Sequence, residues 1–343
     1  MLALQAVTPG QLAEAVPGVT LAEARKLVAQ VHRGESVAAS SAVRRGAADA
    51  VRAAGHVPAL EVVAESASRI DPFVKYALAS GEARFEAVRI PLEHPERFTV
   101  CVSSQVGCAL ACAFCATGRL GLQRNLAAWE IVEQVRVVRA RLTHGRVHGV
   151  VFQGMGEPLA NLDAVLAAIS VMTEPCALGI DGRAITVCTA GLASGIRRLA
   201  REAPKVRLGL SISSAIPAHR KRVMPIAERH DFDDIIEACA EHARATGHSP
   251  MWAVTLLAGV NDSDDDARAL AARAHAFTEA TGRRPRLSLL DYNAIGEGDP
   301  FARSPRMAQF RDVLSAAGLP THRRYSGGSD VAAACGQLAN AAP

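Results

Sequence analysis

Apolar positions recur at two different periods along the chain, and the change of period divides it. Over residues 1 to about 60 the period is helical. Leu21, Ala24, Leu27, Val28 and Val31 fall on one helix face opened by the capping-box pair Thr20 and Glu23, with Gly34 where a C-cap glycine is expected. Phe73–Ala79 and Arg84–Ile90 then read as two strands of a hairpin around Ser80-Gly81. From residue 91 onward, short β-type runs alternate with helical ones. The expected strands are Phe98–Ser103, Val147–Gln153, Arg183–Cys188, Val206–Ile212, Met251–Leu256 and Arg286–Leu290. The expected helices are Trp129–Leu142, Leu162–Met172, Ile196–Arg201, Asp233–Ala245, Asp264–Ala280 and Pro305–Ala316. Six β/α repeats predict an α/β fold, a parallel sheet with helices outside, as an open doubly wound sheet or a partial barrel. In either form, sites gather at the C-terminal ends of the strands. The reading therefore has three parts: a helical accessory domain at 1–60, a β-hairpin linker at 61–90, and a β/α core at 91–343.

Composition narrows the class. With 343 residues, 49% of them hydrophobic and 21% charged, the chain can bury a sizeable core and is not a disordered polymer. A net charge of +4 permits a polyanionic partner without demanding one. No apolar run reaches the roughly 20 residues a membrane helix needs. The start, MLALQAVTPG, lacks the basic and apolar regions of a signal peptide, so a cytoplasmic protein with no membrane partner is expected. Thiols stay reduced there, and the eight cysteines are then unsuited to a static disulfide framework.

Three of them crowd into Cys108-Ala-Leu-Ala-Cys112-Ala-Phe-Cys115, just after the first strand of the core. Thiolates at C-x3-C-x2-C spacing can wrap a loop around one 4Fe–4S cubane. Three ligands leave a fourth iron open to bind the amino and carboxylate groups of S-adenosylmethionine (SAM) and pass an electron to its sulfonium, giving a 5′-deoxyadenosyl radical. Zinc is the plainer alternative. It wants four ligands, and no second C-x2-C pair exists, although His94 or a distant Cys would complete such a site.

The C-x3-C-x2-C loop, with the β/α pattern, resembles the radical SAM superfamily. Three further stretches sharpen the likeness: Cys101-Val-Ser-Ser-Gln-Val-Gly-Cys108, Gly154-Met-Gly-Glu-Pro-Leu159 and Ala334-Cys-Gly-Gln-Leu338. In this order they resemble the RlmN/Cfr family, which methylates carbon 2 or carbon 8 of adenine in 23S rRNA and, in one branch, in tRNA. The resemblance spans most of the chain. It implies a radical SAM partial (β/α)6 barrel with a small N-terminal helical domain and a β-hairpin extension. It also implies a 4Fe–4S cluster on Cys108, Cys112 and Cys115, SAM as cofactor, RNA as partner, and an electron donor such as flavodoxin or ferredoxin.

The same resemblance assigns roles to further residues. Cys335 carries a methyl group taken from SAM, Cys101 attacks its sulfur to release the product and leave a disulfide, and Glu86 accepts a proton. Gly156, Glu157, Cys188, Ser211, Ile212, Ser213 and Asn293 become SAM contacts. Two of these differ from the family pattern, which usually shows Ser at Cys188 and His at Ser213. The stretch Leu290-Asp-Tyr-Asn293 lacks the usual Pro and Trp, and Tyr325-Ser-Gly-Gly-Ser-Asp330 replaces a more basic segment. Pro158 looks closer to the carbon-2 branch.

Basic runs at Arg197-Arg198, His219–Arg222, Arg283–Arg286 and His322–Arg324 are candidates for phosphate contacts, provided they converge on one rim. Cys176 and Cys239 fall on helical patterns and read as core. Two other functions compete: a radical SAM enzyme with a non-RNA substrate, which gives Cys101 and Cys335 no role, and a non-catalytic metal-bearing RNA-binding module.

Overall fold

The computed structural model describes residues 1–94, 96–296 and 298–339. Its N-terminal part holds three helices, α1 (Pro9–Ala15), α2 (Leu21–His32) and α3 (Arg45–Ala54). The capping box forms: Glu23 N–H donates to Thr20 Oγ1 at 3.3 Å and Thr20 N–H to the Glu23 carboxylate at 3.1 Å. That carboxylate also accepts from the Arg44 guanidinium at 2.8 Å, which holds its pKa well below the usual carboxylate range and ties the start of α2 to the start of α3. Leu12, Leu27, Val28, Val31 and Val51 close a small core of their own.

Three antiparallel strands follow, β1 (Glu61–Ala67), β2 (Val74–Ser80) and β3 (Ala83–Pro91). The last two are the expected hairpin. β1 has exposed and half-buried positions alternating and no buried one, so it carries little hydrophobic signal. β3 pairs antiparallel with β4 (Arg97–Val102), and from there every neighbour is parallel. The parallel strands continue as β5 (Arg146–Phe152), β6 (Ile185–Thr189), β7 (Arg207–Ser211), β8 (Met251–Leu256), β9 (Arg286–Asp291) and β10 (Thr321–Arg324). The sheet order is chain order throughout, so all parallel strands deliver their C-terminal ends to one side. The six expected strands are present; β10 is a seventh, whose Thr-His-Arg-Arg sequence has no apolar pattern to betray it.

The outer helices are α4 (Ala128–Ala140), α5 (Leu162–Thr173), α6 (Ala193–Glu202), α7 (Pro217–Val223), α8 (Phe232–Thr246), α9 (Asp264–Thr281) and α10 (Met307–Ala316). Six were expected, and α7 forms instead from part of a basic run. Local chemistry bounds them: Ser263 and Asp266 make a capping box for α9, and Gly247 and Gly282 close α8 and α9 in the left-handed conformation. Cys239 is buried in α8 as expected. Cys176 is not helical; it lies half-buried in a turn after α5, its S–H donating to Glu174 at 3.4 Å. Among the described residues no helix is long and apolar enough to cross a membrane.

Trp252 on β8 is fully buried and packs edge-on against Phe277 of α9, with ring centroids 5.1 Å apart. Trp252→Ala is expected to cost about 3–5 kcal/mol through the cavity it leaves. Urea unfolding followed by the remaining tryptophan, Trp129, measures the loss.

Candidate functional site

The C-terminal ends of β4 to β10, the loop after β4 and the C-terminal tail enclose a cavity of about 210 Å³. Cys108, Cys112 and Cys115 lie in that loop and line the cavity with Leu110 and Phe114. The loop is shaped by its backbone. Cys108 N–H donates to Gly121 O at 2.9 Å, Cys115 N–H to Cys112 O at 3.1 Å, and Ala113 N–H to Val223 O at the end of α7 at 3.0 Å. Burial pushes the Cys108 thiol up to about 12 and Cys112 higher still, so both stay protonated unless a positive metal centre draws the protons off. Among the described residues no three His, Cys, Asp or Glu side chains converge as ligands of a single metal ion. A cubane takes its three thiolates at three different irons. Soft sulfur donors around an apolar cavity fit that group.

The segment that follows β5 is braced by the residues just ahead of the cluster loop. Ser103 Oγ accepts from Met155 N–H at 2.9 Å, Ser104 N–H donates to Met155 O at 2.8 Å, and Gln105 Oε1 accepts from Glu157 N–H at 2.8 Å. Gly154 and Gly156 are required here. A Cβ on Gly154 would sit 2.7 Å from Val102 O, and Gly156 has φ +96° with Gln105 2.5 Å from its missing Cβ. Glu157 is buried, its carboxylate accepting from Leu159 N–H at 3.0 Å and Ala190 N–H at 2.9 Å, so it locks this segment to the end of β6. Burial raises its pKa and those two N–H groups oppose the rise. Neither Ser103 nor Gln105 was singled out in the sequence; their place inside the Cys101–Cys108 motif was the available signal.

Most of the remaining candidate cofactor residues face the cavity. Gly156, Glu157, Cys188, Ser211 and Ser213 are in its wall, and Ser213 takes a left-handed φ of +57°. Ile212 is buried behind that wall, where its carbonyl accepts from Arg220. Asn293 is turned to the tail instead, donating to Ser326 Oγ and to Cys335 O, each at 3.3 Å.

The two distant cysteines meet in the cavity. Cys101 lies next to the end of β4, two strands away from Cys188 on β6, and Cys335 comes from the tail. Gln153, which sequence reasoning missed, stands among them. Its Nε2 donates to Cys335 Sγ at 3.3 Å, while its Oε1 accepts from Arg324 at 2.7 Å and from the Cys188 S–H at 3.6 Å. Burial drives the Cys101 and Cys188 thiols up to about 12 and also raises Cys335, with the Arg324 charge pulling all three down. All eight cysteines are free thiols.

Glu86 is not in the cavity wall. Its β3 position shares a sheet face with Val88, which pairs with Cys101, but the carboxylate is covered. Lys75 Nζ lies 3.0 Å from one oxygen and Ala339 N–H donates to the other at 3.0 Å. The tail is fastened elsewhere too. Asp71 accepts from Tyr325 OH at 2.7 Å and Gly328 N–H at 2.8 Å, and Asp330 accepts from Ser68 Oγ at 2.7 Å and Arg69 N–H at 2.8 Å. Ser326 Oγ accepts from Cys335 N–H at 2.7 Å, and Ala116 N–H donates to Gly336 O at 2.7 Å, next to the cluster loop.

The basic runs do not converge on one rim. Arg197 and Arg198 are paired with Asp234, Glu241, Asp163 and Glu202 on the outer helices. Arg220, expected to meet phosphate, is fully buried, donating to Ser211 O and Ala190 O at 2.9 and 2.6 Å with Phe232 stacked 4.7 Å away. Arg323 pairs with Asp291, Arg324 enters the cavity, and Arg283–Arg286 lie at the opposite end of the barrel.

Comparison with known proteins matches these features. Residues 102–274 match the radical SAM superfamily. A probable RNA methyltransferase of Sorangium cellulosum is 57% identical across 96% of this chain and 90% of its own length. The dual-specificity RNA methyltransferase RlmN of Desulfotalea psychrophila is 41% identical across 74% of this chain and 70% of its own length. The crystal structure of a radical SAM methyltransferase from Sphaerobacter thermophilus superposes with a TM-score of 0.88 at 33% identity, over 99% of this chain and 100% of that one. These likenesses set aside the non-catalytic module and the non-RNA enzyme. The chain belongs to the radical SAM superfamily, among its RlmN-type RNA methyltransferases, and works with a 4Fe–4S cluster and S-adenosylmethionine.

Proposed function

We propose that this enzyme methylates a ring carbon of adenosine, carbon 2 in preference to carbon 8, in 23S rRNA, with tRNA as the alternative substrate, through a methyl group carried on Cys335. The observation that carries this reading is the meeting of Cys335 and Cys101, 234 residues apart in the chain, in the cavity that Cys108, Cys112 and Cys115 also line. Adenine C2 and C8 are poor nucleophiles, so direct attack on a methyl sulfonium is closed to them. When bound, the cluster and SAM supply the methyl group and the hydrogen-abstracting radical.

The chain's own residues do the rest. Cys335 takes the methyl as a thioether, gives up one hydrogen atom from that carbon to the radical, and through that carbon bonds to the base. The ring hydrogen leaves as a proton, with Glu86 its acceptor once the tail and Lys75 release the carboxylate, and the odd electron left on the adduct would return to the oxidised cluster. The Cys101 thiolate attacks the Cys335 sulfur; the carbon–sulfur bond breaks toward the nucleobase, the exocyclic carbon picks up a proton, and a Cys101–Cys335 disulfide remains. An external thiol or dithiol reductant restores it, and a flavodoxin- or ferredoxin-type donor feeds the cluster. Gly156, Glu157, Cys188, Ser211, Ile212, Ser213 and Asn293 are assigned to holding SAM. Arg324 and Gln153 keep Cys335 turned to the cavity and favour its thiolate.

Nucleosides from rRNA and tRNA of a deletion strain, compared with wild type against authentic standards, test the product. The expected result is loss of 2-methyladenosine from wild-type RNA; loss of neither 2-methyl- nor 8-methyladenosine would overturn the ring-carbon reading. The two cysteines are expected to have opposite phenotypes. Cys335→Ala forms no bond to RNA, whereas Cys101→Ala traps a protein–RNA species that survives denaturation and disappears with ribonuclease. A gel of both variants after reaction shows this, and absence of the trapped species in Cys101→Ala contradicts the two-thiol route.

A further inference from the structure

Four arginines that neither the site nor an ion pair among the described residues engages stand at the far end of the barrel. β4, β5, β7 and β9 each begin with one: Arg97, Arg146, Arg207 and Arg286. In parallel strands the first residues share one edge, and the register sets Arg97 directly beside Arg146. Strands about 4.8 Å apart spread the row over roughly 24 Å. Arg183 stands just ahead of β6 and, with His148 and Arg207, lines a cleft at this edge. Arg183 is paired with Asp181 at 2.8 Å. Arg97, Arg146, Arg207 and Arg286 make no ion pair or side-chain hydrogen bond among the described residues. Elsewhere Arg197, Arg198, Arg273 and Arg306 are paired, and arginines without an ion pair among the described residues, such as Arg25, Arg45, Arg222 and Arg229, do not open strands of the sheet.

The crowding is felt locally. Burial first, then the charges of Arg97 and Arg146, hold the His148 pKa below its usual value, and Arg207 adds to the burial that lowers Arg286. Cations at helix C-termini complement the helix dipole, and this accounts for Arg201 in the last turn of α6. It does not account for arginines that open strands. A row of uncompensated like charges costs repulsion that an extended polyanion removes.

We propose that this arginine edge is a second RNA-docking surface, gripping phosphates of the same RNA whose adenosine enters the cavity at the other end. The inference rests on the RNA methyltransferase reading. An acidic electron donor fits less well, because it must approach the cluster loop, and strands of six or seven residues put that loop about 20 Å away. Contacts of this kind position the RNA without reading its sequence, so they suit a structured RNA large enough to reach both ends.

The test uses the full-length reconstituted enzyme with Arg146, Arg207 and Arg286 changed to Gln, singly and together, and with a charge-reversed Arg207→Glu. Affinity for a long rRNA fragment and for a short hairpin bearing the target adenosine is measured against salt. For the long RNA, each Gln variant is expected to lower the slope of log affinity against log salt by up to about one, with tenfold or greater total loss in the triple variant. The short hairpin should bind as to wild type, and reductant-driven SAM cleavage without RNA should be unchanged. An unchanged slope and affinity for the long RNA in the folded triple variant would overturn the proposal. So would intact RNA binding with a raised KM for flavodoxin, which would make the edge a protein-docking surface. Failure of the wild-type enzyme to bind any RNA would instead count against the substrate reading itself.

Discussion

Docking of the C-terminal tail over the open end of the barrel is the constraint on which the site depends. Without residues 325–339 the cavity loses one wall, and Cys335 has no fixed relation to Cys101 or to the cluster loop. The docking combines hydrogen bonds with burial of Ala333, Ala334 and Leu338. Asp71 and Asp330 form a reciprocal clasp, one reaching from the β1–β2 turn to the tail and the other back. Glu86 and Asn293 secure the far end, and the cluster loop receives the chain at Gly336. Bonds of this type contribute about 0.5–1.5 kcal/mol each, which suits a segment that must hold in place and also release. The β1–β3 extension thereby acquires a purpose: it carries the other half of the clasp.

Burial sets the chemistry as firmly as it sets the shape. A thiol at about 12 is protonated at neutral pH, so Cys101 is quiet until something draws off its proton. Among the described residues Arg324 is the cation that acts on Cys101, Cys188 and Cys335 together, and Gln153 holds it in the cavity. The arrangement keeps Cys101 and Cys188 in one space without letting them pair with each other. Cys101 and Cys188 sit on strands separated by β5, at roughly 9.6 Å between strand axes, too far for a disulfide without backbone movement. Cys335 comes from the tail rather than from a strand, so strand spacing does not keep it from Cys101.

Much of this was legible in the sequence, and the failures have physical causes. Strands buried on both faces announced themselves, as Met251–Leu256 did to the residue, because apolar runs leave few alternatives. β1 and β10 were silent because edge strands bury little. Cys108, Cys112 and Cys115 fall together in the cavity wall, as their spacing within one loop suggested. Gln153 was not legible, because a glutamine gains meaning only from neighbours that other strands and the tail bring to it. Arg220 misled for the same reason. Within His-Arg-Lys-Arg it looks like surface charge, yet the short helix α7 turns that one residue inward to cap the carbonyls at the ends of β6 and β7.

The central claim is that the methyl group passes through Cys335. Its most direct test is peptide mass spectrometry of the reconstituted enzyme after incubation with SAM labelled by deuterium in the methyl group. The account predicts the label on the peptide containing Cys335 and on no peptide containing Cys101 or Cys188. Label on either of those cysteines, or labelled RNA formed by a protein that never carries label, would contradict it.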